Sequence, residues 1–353
     1  MAHPGTPRIT VGVDTHLDVH VAHANDQLGR RVDTVQVPTT PTGYHDLLAW
    51  ARGLGEPVAW GVEGTGSYGA ALARFLVAGG QVVLEVNRPD RSARRRRGKS
   101  DPVDAQAAAR AVQAGEVTVV PKAGDGHVEM IRSLRVARQT AMRARTQTIN
   151  ALKALLVTAP TGLREQLRGL SASRLVRAAA ELEPGKITSP LAAAMLALRT
   201  LAHRHQALSA EISSLTTELD RLTAKAAPKL VALFGVGQDS AGALLVAAGD
   251  NPDRLRSDAA FSMLCGVSPI EASSGKTTRH RLNRGGDRQA NAALYRIVMV
   301  RLCYDPATKD YMARRLKEGK SKKEVIRCLK RYVAREVFAV LHQMGHDTPT
   351  AAA

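Results

Sequence analysis

The stretch "RITVGVDTHLDVHVAHANDQLGRRVDTVQV" (residues 8–37) decides the fold of the first part of the chain. Apolar and polar residues alternate along three runs within it, and "NDQLG" (residues 25–29) forms a turn between the second run and the third. A period of two places successive side chains on opposite faces of a β-strand. The pattern therefore predicts three consecutive strands in a meander, and the first of them ends at Asp14.

Helices and strands alternate after the meander. Four segments predict helix, strand, helix and strand in that order: residues 40–55, 57–63, 67–80 and 81–86. A further helix over residues 100–115 has Ser100 or Asp101 as its N-cap and Pro102 in its first turn. A meander followed by strand–helix units on one mixed sheet is the order of an α/β ribonuclease-H-like (RuvC-like) domain, which we place at residues 1–125.

The charge balance points to a polyanionic partner. The chain has 353 residues, a formal net charge of +18 and a pI of about 10.4. A balance this basic favours nucleic acid as the partner, and an ordinary enzyme with many arginines is the alternative. Aromatic residues make up only 3%, so the cores must be built from Ala, Val and Leu.

The spacing of the cysteines and the hydropathy of the chain indicate the cellular compartment of the protein. Cys265, Cys303 and Cys328 lack the spacing of a disulfide framework or a zinc site, which indicates reduced thiols. Residues 1–8 lack the apolar core of a signal peptide, and no apolar run approaches the roughly 20 residues of a membrane span. We expect a cytoplasmic protein that has no membrane partner.

The middle of the chain, residues 126–228, is expected to be all-α. Apolar residues recur at alternating spacings of three and four along residues 191–222, and this heptad pattern predicts a long coiled-coil helix. A second amphipathic helix precedes it. His205 is the one ionisable residue in the seam; a polar residue that sets register is the expected role, and a metal ligand or a pH switch is the alternative.

The third region, residues 229–345, is expected to be mainly α-helical. "LFGVGQDSAGALL" (residues 233–245) lies in a predicted helix–hairpin–helix whose glycines let the turn approach a phosphate. "SKKEVIRCLKRYVAREVFAVL" (residues 321–341) predicts a basic amphipathic helix. Residues 346–353 are expected to form a disordered tail.

Four carboxylates are placed to meet at one point. Asp14 and Glu63 end strands that are neighbours in a ribonuclease-H-like sheet, whereas Asp101 and Asp104 lie three apart on one helix face. Four such charges would repel each other, and two Mg²⁺ ions about 4 Å apart would remove that cost and support phosphodiester chemistry. A capping role is the alternative for Glu63 and for Asp101. Mn²⁺ could replace Mg²⁺.

Positive charge is concentrated just before the acidic helix, in "RSARRRRGKSD" (residues 91–101). Beside a carboxylate site, such a run favours a loop that follows phosphates, and a solvated charge run is the alternative. The predicted nucleic-acid-binding residues of this loop are Arg94, Arg95, Arg96, Arg97 and Lys99.

Several motifs resemble those of one family. They are "GVDTHLD" (residues 12–18), "VEGTGSYG" (62–69), "VNRPDRSARRRRGKSDPVDA" (86–105), "LFGVGQDSAGALL" (233–245) and "SSGKTTRHRLNRGGDRQANAALY" (273–295). They are similar to motifs of the DEDD transposases of the insertion-sequence family IS one-ten (IS110), which are bridge-RNA-guided recombinases. The resemblance covers nearly the whole chain, from Val11 to about Leu341. It is specific, because two unrelated motif sets occur in the family's order with a coiled coil between them.

The resemblance implies a site in each end domain. The acidic tetrad of the RuvC-like domain corresponds to Asp14, Glu63, Asp101 and Asp104. The transposase domain would carry a nucleophilic serine in a Ser-Gly motif, and "SSGK" (residues 273–276) places it at Ser274, although Ser273 adjoins it. Four basic residues downstream could neutralise charge that develops on a phosphate: Lys276, Arg279, Arg281 and Arg284. The glycines of "NRGGDRQAN" (residues 283–291) precede a helix N-terminus and suggest another anion site.

The function implied is that of an insertion-sequence transposase. It would cleave, exchange and rejoin donor and target DNA through a covalent serine–DNA link, with a structured guide RNA to select the sites. The resemblance also implies a homodimer through the coiled coil, a tetramer on DNA, and a bacterial protein that associates with the nucleoid when active.

Two other functions remain open. One is a RuvC-like, metal-dependent Holliday-junction resolvase or nuclease without serine chemistry. The other is a non-catalytic, RNA-binding architectural protein, which four placed carboxylates in a basic chain disfavour.

Overall fold

The chain divides into two units, Met1–Gly124 with Gly249–Arg256, and Asp125–Ala248 with Ser257–Ala353. The computed structural model describes residues 7–86, 101–251, 254–277 and 280–347. Several predicted features lie outside these ranges: Arg94, Arg95, Arg96, Arg97, Lys99, Arg279 and residues 348–353 of the predicted tail. The domain boundaries at residues 125 and 228 stay a prediction.

A five-stranded mixed sheet forms the frame of the first unit. Its strands are β1 (Arg8–Thr15), β2 (Val19–Asn25), β3 (Arg31–Pro38), β4 (Glu56–Glu63) and β5 (Val83–Val86), in the spatial order β3-β2-β1-β4-β5. Neighbours among the first three strands pair antiparallel, whereas β4 joins β1 and β5 joins β4 in parallel. The predicted meander and mixed sheet are confirmed, and they are consistent with a ribonuclease-H-like fold.

The two faces of the sheet differ because successive residues of a strand point to opposite sides. One face is apolar: Val11, Val13 and Trp60 are fully buried in a core that they share with helices α1 (Pro41–Leu54) and α2 (Ala70–Ala78). The side chains on the opposite face are small or polar, and the third helix packs against them.

Helix α3 (Asp101–Gln113) lies against this small face at a pair of glycines. Gly12 and Gly61 are partners in the register of β1 and β4. A Cβ atom added at Gly12 would lie 2.1 Å from the carbonyl oxygen of Ala105, and one added at Gly61 would lie 2.7 Å from Cγ2 of Val112. Both positions therefore need glycine, and their lack of side chains lets the helix touch the sheet.

A polar network holds the C-terminal end of α3. Asn25 donates to the side-chain oxygen of Gln113 (3.1 Å), and Gln113 donates to the main-chain oxygen of Asp26 (2.7 Å). The ring of His23 joins the network through Asn25 (3.0 Å) and through the hydroxyl of Thr34 (2.9 Å). The glycine pair thus sets the depth of α3, and this network sets its position along the sheet.

Helix α2 begins three residues later than the sequence predicts. The predicted start was Ser67, but residues 64–69 form a turn in which the amides of Ser67 and Gly69 both donate to the carbonyl of Gly64 (2.8 and 3.0 Å). Gly64 has φ of +66°, a conformation that favours glycine.

Residues Gly249–Arg256 return to the first unit from the second half of the sequence. The side chain of Asn251 donates to the carbonyl of Pro121 (2.6 Å), and the guanidinium of Arg254 pairs with Glu85 (3.0 Å). These contacts make the segment part of the first unit.

Where the structure describes it, the second unit is helical apart from one small hairpin. Its helices are α4 (His127–Thr158), α5 (Thr161–Leu167), α6 (Ala172–Ala180), α7 (Pro190–Ala226), α8 (Pro228–Val231), α9 (Gln238–Ala248), α10 (Asp258–Leu264), α11 (Arg288–Tyr304), α12 (Pro306–Lys317) and α13 (Lys322–Asp347). The hairpin consists of β6 (Ile270–Glu271) and β7 (His280–Arg281).

The heptad pattern lies on α7, which packs along α4 within the chain. Leu198, Ile212 and Leu219 of the seam are buried, whereas Leu191 is 43% exposed. Part of the seam is therefore an interface inside one chain, and a dimer through it stays a prediction. His205 is half-buried, and burial, followed by the charge of Arg145, lowers the pKa of its imidazole.

The helix–hairpin–helix predicted over residues 230–249 is not confirmed. The first helix is the single turn α8, and α9 is the only full helix of the pair. Asp239, in the first turn of α9, accepts hydrogen bonds from Arg135 (2.9 Å), Arg138 (3.1 Å) and Arg296 (2.9 Å). These three arginines join α9 to α4 and α11.

All three cysteines are free thiols, as expected. Burial raises the pKa of Cys265 to about 12. Within the described ranges, no helix combines the length and the apolar character needed to cross a bilayer.

The glycine pair leads to a test of stability. We expect Gly12→Ala to lower the free energy of unfolding by about 1–3 kcal/mol, because the new methyl group must push α3 away from the sheet. Urea unfolding measures the change. Gly53→Ala is the matched control: Gly53 is exposed within α1 with no atom near its added Cβ, so alanine should stabilise by about 0.5–1 kcal/mol. Equal stability of Gly12→Ala and the wild type would contradict the close approach.

His20 leads to a test of pH dependence. Its ring is fully buried and stacks on Tyr44, with centroids 5.8 Å apart. Burial, with a smaller effect from the charge of His16, lowers the pKa of His20 below its usual 6.5. The unfolded chain therefore binds more protons than the folded chain at pH values between the folded pKa and 6.5, so stability should be lost as pH falls through that window.

We expect His20→Phe to reduce this loss of stability, because phenylalanine keeps the stacked ring but takes up no proton. Urea unfolding at about pH 7.5 and about pH 5.5 gives the change in the free energy of unfolding with pH for each protein, and these two slopes are compared. His23, whose pKa burial also lowers, should leave a residual slope. An unchanged slope in His20→Phe would show that the buried ring does not titrate in this way.

Candidate active site

The two strand carboxylates lie at the same end of the sheet. Asp14 is near the end of β1, and Glu63 is the last residue of β4. Val13 pairs with Val62 in the parallel register, so the next residues along the two strands, Asp14 and Glu63, are neighbours. Asp14 is buried, and Glu63 is half-buried.

Helix α3 brings two more carboxylates to this end. Asp101 and Asp104 both lie in its first turn; Asp104 is buried and Asp101 is half-buried. Desolvation by burial is the main cause that raises the pKa of Asp14, and the negative charges of Asp104 and Asp101 raise it further. The charges of Asp101 and Asp104 therefore act on Asp14, and a joint role of the four predicted carboxylates in one metal site stays a prediction.

His16 is a member of the cluster that the sequence reasoning missed. Its Nε2 lies 3.2 Å from Oδ2 of Asp14 and 3.4 Å from Oδ1 of Asp101. The three residues offer ligand atoms that all lie within 4.8 Å of one another. The spacing of two between Asp14 and His16 was the available signal, because it places both on one side of an extended chain. Glu63 and Asp104 are not part of this tight group of three.

The donor set fits a divalent cation. Two carboxylates supply hard oxygen ligands of the kind that Mg²⁺ and Mn²⁺ prefer, and an imidazole nitrogen adds a ligand typical of transition metals. Burial is the largest cause of the raised pKa of Asp14; the charge of His16 opposes it, and the charges of Asp104 and Asp101 add to it. A divalent ion at this point would remove the repulsion between Asp14, Asp101 and Asp104.

The turn after Glu63 is held close to β1. The hydroxyl of Thr15 donates to the main-chain oxygen of Glu63 (2.9 Å). A Cβ atom added at Gly69 would lie 2.6 Å from the same oxygen, so this position also needs glycine. The end of β4 is therefore fixed beside the end of β1, and the two strand carboxylates are held together by the backbone.

The predicted nucleophile, Ser274, lies at the tip of the β6–β7 hairpin in the second unit. Ser274 and Thr277 exchange two main-chain hydrogen bonds of 3.1 Å each, which leaves Gly275 and Lys276 as a two-residue turn. Gly275 has φ of +55°, which suits glycine in such a turn. Ser274 and Lys276 are exposed, as is the adjoining Ser273.

Basic residues follow the hairpin, but one predicted anion site is wrong. Arg281 on β7 and Arg284 beyond it are exposed. The N-terminus of α11 was expected to bind an anion, yet the carboxylate of Asp287 caps it and accepts from the amides of Gln289 (2.8 Å) and Ala290 (2.9 Å). A side chain of the protein therefore already satisfies these donors.

Two segments of the chain match family models. Residues 11–159 match the family model of the DEDD transposases of IS110; the description of this model is "Transposase". Residues 227–313 match a model described as a transposase of the IS116/IS110/IS902 family.

A protein of Streptomyces coelicolor, the insertion element IS110 uncharacterized 43.6 kDa protein, is 30% identical over 161 residues. That alignment covers 45% of this chain and 38% of the relative, so the chain spans less than half of the relative's length. The two family matches, in the order that the motifs predicted, and this relative support an IS110-family transposase.

Proposed function

We propose that this protein is the transposase of an insertion sequence, and that it cuts and rejoins DNA through Ser274 together with a divalent-metal centre in the first unit. The meeting of Asp14, His16 and Asp101 within 4.8 Å carries the proposal, because a strand and a distant helix supply these ligands. The matches to IS110 transposase models support the same function.

Ser274 is the nucleophile of the proposed reaction. As its Oγ forms a bond to the phosphorus, the hydroxyl proton leaves, and the bond to the departing deoxyribose oxygen breaks while that oxygen gains a proton. Attack by the hydroxyl of another DNA strand then releases the serine and rejoins the backbone. The exposed position at the hairpin tip admits a phosphodiester, and Lys276 beside it can stabilise charge on the phosphoryl oxygens.

The carboxylate cluster supplies the metal centre. A bound Mg²⁺ or Mn²⁺ would activate a hydroxyl and neutralise phosphate charge. Asp14, His16 and Asp101 would hold the ion, and the neighbouring Glu63 and Asp104 would complete the acidic set. Asp104, in the first turn of α3, is buried and would add negative charge to the cluster.

Nucleic acids are the partners in this proposal. A structured guide RNA would select donor and target DNA by base pairing, while basic side chains contact phosphates without reading sequence. The net charge of +18 supports binding of a polyanion. A homodimer through α7 and a tetramer on DNA belong to the same proposal.

A metal-dependent resolvase is the second candidate. The acidic cluster taken alone favours it, because a metal-activated water can cut DNA without a serine. The two functions differ in whether a covalent protein–DNA link forms.

Replacement of Asp14 tests the metal centre without measuring activity. In a chelator, Asp14→Asn should raise the melting temperature, because it removes a carboxylate charge that burial desolvates and that Asp104 and Asp101 repel. With excess Mn²⁺ the wild type should gain stability and Asp14→Asn should gain little. Differential scanning calorimetry measures both effects. Asp18→Asn makes the same charge change at an exposed site and should behave as wild type; an equal Mn²⁺ effect on all three proteins would refute the site.

Replacement of Ser274 tests the nucleophile. Ser274→Ala should reduce the yield of covalent protein–DNA complex by at least about a thousandfold, because no other group supplies the attacking oxygen. The complex is trapped by denaturation in cells that carry the native locus, and it is detected on gels. Ser273→Ala is the matched control and should keep the complex. Full strand exchange by Ser274→Ala would favour the resolvase, and loss only in Ser273→Ala would move the nucleophile to Ser273.

A further inference from the structure

We propose that the cleft between helix α13 and the base of the β6–β7 hairpin binds single-stranded DNA beside Ser274. Pro269 and Arg281 line its hairpin side, and Arg327 and Tyr332 line its helix side; we call it the α13 groove. Its volume is about 560 Å³, which can hold part of one strand but not the width of a duplex. The proposal rests on the proposed reaction at Ser274, which identifies DNA as the substrate.

The charge of the α13 groove suits a phosphate backbone. One carboxylate, Glu324, lines it together with six cationic side chains: Arg281, Lys320, Arg327, Lys330, Arg331 and Arg335. Glu324 also caps the start of α13, where it accepts from the amide and hydroxyl of Ser321 (2.8 and 2.6 Å). The groove is therefore strongly positive, and DNA phosphates would displace its counterions.

Four of the six cations of the groove fall into two sets. Arg331 and Arg335 both bond to Asp258 (2.9 and 3.2 Å), which fixes them in the wall. Arg281 and Arg327 are exposed, and neither forms an ion pair with a described carboxylate. These last two are the side chains best placed to contact phosphates.

An exposed aromatic ring in the groove suits a base. Tyr332 is 51% exposed in a chain whose aromatic content is only 3%. Its ring meets Tyr311 edge to face, with centroids 5.7 Å apart, and Arg315 lies over the ring of Tyr311. Tyr332 is thus held in place as a stacking surface. The bases of a duplex are stacked on each other, so their faces are not accessible to a tyrosine ring. An exposed ring therefore favours a single strand, whose bases can stack on it.

The hairpin connects the groove to Ser274. Glu271 pairs with His280 at the hairpin base, and His280 lines the groove. Ser274 is three residues beyond Glu271, which is at most about 10 Å of extended chain. A strand whose phosphates contact Arg281 can therefore continue along the hairpin to the serine.

A second cleft extends the same path. Its volume is about 320 Å³, and it shares Asn283 and Lys330 with the α13 groove. Arg284 and Tyr295, which is 45% exposed, also line it. A cation and an exposed tyrosine thus occur together there as well, as expected for a track that holds successive nucleotides, and Asp287, the carboxylate that caps α11, also lines this cleft.

Binding of fluorescent single-stranded DNA to the full-length protein tests the groove. An oligonucleotide of about 20 nucleotides is titrated by anisotropy at about 0.2 M salt, where non-specific binding is weak. Tyr332→Leu should weaken binding at least about fivefold, and Tyr332→Phe should stay within about twofold of wild type, because stacking needs only the ring. Arg327→Gln should lower the slope of log K against log salt by about 0.7, the value for one phosphate contact on a single strand.

Matched controls lie outside the groove. Tyr304→Leu, at a tyrosine that is 73% exposed, and Arg204→Gln, at an exposed position on α7, should bind as wild type. Losses in the controls as large as those in the groove variants would overturn the proposal. Groove variants that weaken binding of RNA or duplex DNA of the same sequence more than binding of the single strand would also overturn it. Anisotropy follows binding alone, so failure of the serine chemistry would leave this measurement unchanged.

Discussion

The contact of α3 with the sheet at Gly12 and Gly61 is the constraint on which the first unit depends. Any larger side chain at either position would lift the helix, and the helix carries Asp101 and Asp104 in its first turn. Two residues without chemistry of their own therefore decide whether the carboxylates of α3 reach Asp14. The network around Gln113 fixes the other end of α3, so the acidic end cannot slide along the sheet.

The elements that could be predicted from the sequence are those whose side chains follow a short, regular pattern along the chain. The strands of residues 8–37 could be predicted because one face of the sheet is apolar and the other is polar, and this difference produces a period of two. The order of the acidic residues then placed Asp14 and Asp101 together. His16 was missed because its one signal, the spacing of two from Asp14, does not show that Asp101, on a helix distant in sequence, lies beside both residues. The capped N-terminus of α11 was misread because glycines before a helix also permit an internal cap such as Asp287.

The carboxylate cluster is a local concentration of negative charge in a basic chain. The first unit gathers negative charge around the buried Asp14, within a chain whose net charge is +18. A polyanion drawn to the basic surface would be repelled by the carboxylate cluster unless a cation neutralised it first. Cation binding and nucleic-acid binding should therefore favour each other, and the burial that makes Asp14 costly for the fold would couple the two events.

The return of residues Gly249–Arg256 to the first unit has a consequence for gene fusion and recombination. This segment lies inside the stretch that matches the second family model, yet Asn251 and Arg254 are bonded to the first unit. The chain thus passes between its units three times. A gene fusion or recombination event that joined only the first half to a new partner would leave Glu85 without its arginine and the backbone near Pro121 without its clamp. The first unit therefore needs residues from both halves of the sequence, and a single crossover that separated those halves would remove these contacts.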